Sequence, residues 1–137
     1  MHPRQTIRST VVSAITGLAT TKSRVNTSRI NPYTTLPALN VTTLSEDVRE
    51  EFSCMGASGD EFRELRLVVE GRAKSVSGPN DTLDTMVSEV EEALLNSTTV
   101  RALVTDITIQ SMAFSNSRDG SIPIGMVEMI FSILYQT

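Results

Sequence analysis

The residues able to do chemistry in this chain of 137 are few, and most of them stand together. Glu46, Asp47, Glu50 and Glu51 form a run of carboxylates that could bind a hard cation or divide into a general acid and a general base. The spacing and glycine of an EF-hand loop are missing, and only Asp60 and Glu61 lie nearby as further acids, so the run reads first as a solvated face. Cys54 is the only cysteine and His2 the only histidine. A lone thiol forms no internal disulfide, and one imidazole adds too little for a zinc site. Neighbouring carboxylates also disfavour a thiolate. A single histidine at a frayed terminus does not build a Ser-His-Asp or Cys-His arrangement. Neither phosphate-cradling pattern, GxxxxGK[ST] or GxGxxG, occurs. The expectation is a protein that is not an enzyme and holds no cofactor or metal.

Charge is the stronger signal. The formal net charge of -4 conceals an asymmetry: residues 1–45 carry Arg4, Arg8, Lys22, Arg24 and Arg29 and no acid, while all 16 acids follow from Glu46 onward. The two parts carry +5 and -9. Such a chain suits a protein whose opposite faces meet copies of itself or a neighbour, because complementary potentials steer encounter and fix register. Nucleic acid is disfavoured as the main ligand, since there is no dense basic stripe with interleaved aromatics. No apolar run approaches the ~20 residues of a membrane span, and residues 1–10 lack the apolar core of a signal peptide.

The elements that must position these groups follow from periodicity. Residues 5–18 place Ile7, Val11, Ala14, Ile15 and Leu18 at helical spacing, with Arg4 and Arg8 opposite and Gly17 as a stop. Residues 24–30 alternate as a short exposed strand, Asn31-Pro32 forces a turn, and residues 36–44 resume as a strand with Leu39, Val41 and Thr43 on one face. Residues 45–60, acidic and then small, read as a loop. Residues 62–74 alternate most clearly, with Leu65, Leu67 and Val69 inward and Glu64, Arg66, Glu70 and Arg72 outward. After a turn at 75–80, Asp81 is the expected N-cap of a helix to about Asn96, with Leu83, Met86, Val87, Val90, Ala93 and Leu94 on its apolar face. A long strand over 100–114, a turn at 115–121 around Asp119-Gly120, and a strand over 124–135 complete the chain. Met86, Met112, Met126 and Met129 fit as gap-filling core residues.

The predicted class is α+β: one domain over residues 1–137, with a mixed, mainly antiparallel sheet of about five strands and two helices packed on one face. The element order is α-β-β-β-α-β-β. The final strand is apolar on both sides, with Val127, Met129, Phe131, Ile133 and Tyr135 at odd positions and Ile130 and Leu134 at even ones. That pattern points to helices over one face and another subunit over part of the other.

Residues 7–18 (IRSTVVSAITGL), 21–30 (TKSRVNTSRI), Pro32 and residues 36–43 (LPALNVTT) form a combination that resembles the tail terminator proteins of long-tailed bacteriophages, the family of the minor tail protein U of lambda-like phages. The charged strand at 62–73, the second helix and the closing strand ending in Tyr135 extend the resemblance. The family commonly has an aromatic after the valine of the LPAL segment, where this chain has Thr42. The resemblance implies a small subunit that closes into a homo-oligomeric, hexameric ring on the completed tail tube. There it halts tube growth and offers its other side to the head-tail connector protein, with DNA only passing through the lumen. It implies a place in the virion, at the head-tail junction, after assembly in the host cytoplasm. An overall acidic charge suits such a lumen, because tightly bound phosphates would impede transit.

On that reading Arg24, Arg29, Asn31 and Tyr33 are the candidate contacts with a neighbouring subunit or the tube tail protein, an exposed strand leading into an aromatic-bearing turn. Glu46, Asp47, Glu50 and Glu51 are their acidic counterpart. The competing readings are a head-completion or neck protein on the portal side, and a small carboxylate-dependent hydrolase built on residues 46–51. Reversing Arg29→Glu is expected to abolish ring assembly, read by light scattering; unchanged assembly removes the pairing.

Overall fold

Alternation in two strands sets the frame. In the computed structural model, which describes residues 2–27, 36–48, 62–75, 77–120 and 122–136, strand β3 (Phe62–Lys74) pairs antiparallel with β5 (Ile122–Gln136) along its whole length. The register sets Leu65, Leu67 and Val69 opposite Ile133, Phe131 and Met129, and every one of these side chains is buried. Because successive side chains alternate, Glu64, Arg66, Glu70 and Arg72 share the other face with Leu134, Ser132, Glu128 and Met126. Met126 therefore stands opposite the core face, whereas Met86 and Met129 are buried in the core and Met112 packs against it.

Outside this pair stand β2 (Ala38–Val48) against β3 and β4 (Asp106–Asp119) against β5, both antiparallel, while the two-residue β1 (Val25–Asn26) runs parallel to β2. The sheet has five strands in the order β1-β2-β3-β5-β4. Its apolar face is covered by α1 (Pro3–Ile15), which buries Ile7, Val11 and Ile15, and by α2 (Asn80–Leu95), which buries Leu83, Met86, Val90 and Leu94. The class is α+β with a mixed five-stranded sheet and three helices.

The third helix corrects the expectation of two. Residues 98–103 form α3 (Thr98–Leu103) instead of opening a long strand at Val100, so the element order is α-β-β-β-α-α-β-β. Ser97 is the cause: its hydroxyl accepts from the Val100 backbone N–H at 3.2 Å, Val100 is driven into the core, and Arg101 Nε donates to the Leu95 carbonyl at 2.6 Å to cap α2. Four further boundaries move. Helix α1 starts at Pro3 because His2 is not frayed: its Nδ1 accepts from Arg4 N–H at 3.2 Å while Gln5 Oε1 accepts from His2 N–H at 3.1 Å, a capping box. Helix α2 starts at Asn80 behind Pro79 without a side-chain cap, leaving Asp81 in the first turn where the helix dipole favours an acid. Strand β4 runs on to Asp119, shrinking the expected 115–121 turn to a tight one with Gly120 at φ 66°. Strand β2 continues through Val48, where a loop is expected from Ser45, with a bulge between Thr43 and Ser45.

Two glycines mark where α2 closes on the sheet. A Cβ on Gly125 would sit 2.7 Å from both Leu83 Cδ1 and Pro79 Cγ, whereas on Gly71 it would meet the flexible Met86 Cε at 2.8 Å. Gly125→Ala is expected to destabilise by about 1–3 kcal/mol, because a ring and a buried branch must move together. Gly71→Ala should cost less than about 1 kcal/mol, since a methionine end can swing away. Urea unfolding of the two variants checks the order.

Candidate functional site

The carboxylate run does not act as one cluster. Since β2 pairs Glu46 with Leu65 and Asp47 with Glu64, the two acids fall on opposite faces of the sheet. Asp47, on the face away from the helices, accepts from Arg66 Nη1 at 2.6 Å; Arg66 also lies 3.5 Å from Glu64 and donates to Ser45 and Gln110. Together with the Arg72–Glu70 pair at 2.9 Å, this makes a band of alternating charge across the sheet. Between its members Val68, Ile130 and Leu134 are half-buried.

Glu46 faces the helices and is enclosed, with its side chain 11% exposed. Its Oε2 accepts from Arg4 Nη1 at 2.7 Å and from Arg63 Nη1 at 3.3 Å, and its Oε1 accepts from the hydroxyl of Tyr135. Arg63 also lies 3.3 Å from His2 Nε2. One carboxylate thus ties the first turn of α1 to three strands, β2, β3 and β5. Burial acts to raise its carboxyl, but the hydrogen bonds from Tyr135, Arg4 and Arg63 and the charge of Arg4 outweigh it and hold the group below the ordinary carboxylate value. Burial, then the adjoining carboxylate, pushes the Tyr135 hydroxyl up to about 12. The arrangement does structural work, with an acid kept ionised and a phenol kept protonated.

Arg24 stands at the other end of β2. Its Nε donates to the Pro37 carbonyl at 2.7 Å and its Nη2 to the Thr20 carbonyl at 3.1 Å, while Leu39 N–H donates to its own carbonyl at 2.9 Å. It clamps the turn before β1 onto the start of β2. Leu39 to Glu46 spans seven positions, about 23 Å of strand at ~3.3 Å per residue, so Arg24 and Glu46 do not meet within one copy. Arg29, Asn31, Tyr33, Glu50 and Glu51 lie outside the described residues.

Sequence reasoning missed Arg4, Arg63 and Tyr135 as partners of Glu46, and it missed the large apolar side chains left exposed, Leu44, Val48, Leu103 and Phe114. Alternation alone points the other way for the first: carried on from Leu39, Val41 and Thr43 it would turn Asp47 inward, and it is the bulge between Thr43 and Ser45 that shifts the register and brings Glu46 to the core face, where only a paired acid is tolerated. Among the described residues no group of three or more His, Cys, Asp and Glu side chains could hold a metal ion, and no helix is long and apolar enough to cross a membrane. The chain matches no protein-family model and no curated protein.

Glu46 dictates a pH response. A carboxyl lowered in the folded state contributes stability that is present above its unfolded value near 4.5 and lost as pH falls toward its folded value. Tyr135, raised to about 12, contributes stability that is present below 10 and lost as pH rises from there through 12. Glu46→Gln, which leaves two arginines facing a neutral amide, and Tyr135→Phe should each cost about 1–3 kcal/mol at neutral pH. Chemical denaturation at pH 7 and pH 3 is the check: the gap between wild type and Glu46→Gln should narrow at pH 3, which lies below the unfolded value near 4.5, so that protonation of the unfolded chain removes part of what the ionised acid contributes.

Proposed function

We propose that this chain is a structural subunit of a long-tailed bacteriophage, a tail terminator that closes into a ring on the completed tail tube, stops its growth and joins it to the head. The observation that carries this reading is the first third of the chain. Of the residues that resemble the terminator family, the described ones, 7–18, 21–27 and 36–43, come together where α1 packs on the parallel β1–β2 pair and Arg24 holds the turn between helix and strand. The rest of the architecture is compatible with a ring: among the described residues helices cover one face of the sheet, and charges are paired within the copy on the other. Ring closure needs two different faces of one subunit to meet, and the separation of basic and acidic segments along the chain supplies two such faces.

The test is the mass of the purified protein by light scattering, alone and mixed with tail tubes, with negative-stain images of the mixture. Rings near six copies, or discs capping one end of tubes of fixed length, are expected. A protein that ignores tubes and binds DNA-filled heads instead overturns the terminator reading in favour of a neck protein.

A further inference from the structure

The fold carries part of the chain's charge polarity into space. Residues 2–27 and 36–45, which build α1, β1 and most of β2 at one edge of the sheet, carry Arg4, Arg8, Lys22 and Arg24 and no acid. Toward the opposite edge β4 carries Asp106 and the first turns of α2 bring Asp84 beside Phe114, whereas Glu89 accepts from the Thr20 N–H and hydroxyl and Glu92 lies beside Gly17–Ala19, against the basic segment. The two acids that close β2 do not blur this contrast, because Glu46 is held by Arg4 and Arg63 and Asp47 by Arg66.

Both edges are open to pairing. Among the described residues β4 pairs only with β5, which leaves one side of a 14-residue strand without a partner strand. At the far edge β1 covers only Leu39 and Asn40, so among the described residues β2 from Val41 to Val48 has no strand beside it on that side. Such edges are templates for another strand. Exposed apolar side chains stand at both, Leu44 and Val48 on β2 and Phe114 on β4. Leu44, 54% exposed, follows Thr43, whose hydroxyl accepts from Arg8 Nη1 at 2.9 Å. Phe114, 55% exposed, lines a groove of about 280 Å³ with Leu83, Asp84, Asn80 and Asn116.

We propose that the two edges bind one another in successive copies of this chain, the β4 edge of one copy, with Phe114 and Asp84, against the β1–β2 edge of the next, with Leu44 and the cations Arg8 and Lys22. Strand direction allows it. Three antiparallel steps lead from β2 through β3 and β5 to β4, so β4 runs opposite to β2. Copies repeated with their strand direction kept bring the two edges together antiparallel, the more stable pairing. Charge selects this contact over β4 against β4, which would oppose acidic edge to acidic edge. A contact between unlike edges generates rings or filaments and not closed dimers. The inference gives the ring of the proposed function its joint and rests on that reading.

Leu44→Ser and Phe114→Ser alter side chains that are more than half exposed, so both variants should unfold thermally like the wild type. Light scattering at low salt, alone and on tail tubes, is expected to show assembly by the wild type and monomers for each variant. An equimolar mixture of the two variants should give one-to-one dimers, because one intact pair of edges survives in it. Assembly by both variants at the wild-type level overturns the inference, as does a Phe114→Ser monomer beside a Leu44→Ser dimer, the mark of like edges meeting. A wild type that stays monomeric both alone and with tubes overturns it too. Wild type capping tubes while both variants still assemble leaves the terminator standing and removes the joint; wild type assembling through these edges while ignoring tubes does the reverse.

Discussion

The pairing of β3 with β5 is the contact on which the other elements depend. It lays two strands side by side over 13 matched positions, which gathers Leu65, Leu67, Val69, Met129, Phe131 and Ile133 on one face and Glu64, Arg66, Glu70, Arg72 and Glu128 on the other, among the half-buried Val68, Ile130 and Leu134. An apolar face of that size must be covered, and α1 and α2 cover it with stripes spaced for one side of a helix. Glycine stands at positions 71 and 125 on the covered face, where α2 comes closest to the sheet. The strands outside the central pair can then be polar or short, because they extend a sheet whose core is already closed.

Legibility in the sequence tracks how much of an element's identity is carried by its own period. Strand β3 is read to the residue, since its positions from 65 to 73 alternate between buried and half-buried. Helices α1 and α2 are read to within a few residues, because their buried stripes are unambiguous while their ends depend on single hydrogen bonds such as those of His2 and Arg101. Strand β2 is cut short, because the acids after Ser45 look like loop until arginines from α1 and β3 are known to neutralise them. The 98–119 region is misdivided for a related reason. Val100, Leu103 and Val104 fit a strand as well as a helix, and the decision falls to a serine cap that tertiary packing rewards.

The candidate site shows the same division. The type of residue at 46 and 47 is plain in the sequence, but the separation of these neighbours onto two faces, one acid closing the core and the other joining a surface band, is a property of strand pairing. Arg24 presents a similar lesson. An arginine on a short strand reads as a surface anchor, and the fold gives it two backbone carbonyls to hold, which fixes the chain reversal that aligns β1 with β2.

Strand order has a consequence for how the molecule comes to exist. β5 sits between β3 and β4, and its pairs with β3 join residues as distant as Phe62 and Gln136 and no nearer than Lys74 and Ile124. A long loop must therefore close before the central contact yields anything, and until it closes the helix faces have only half a sheet to dry against. The β4–β5 hairpin is local and can form early; its docking onto β3 is the non-local step that joins the two halves of the chain. The edge strand β2 belongs to one half and the edge strand β4 to the other. A chain caught before that docking holds them on no common sheet, so both edges take their places only once the interior is complete.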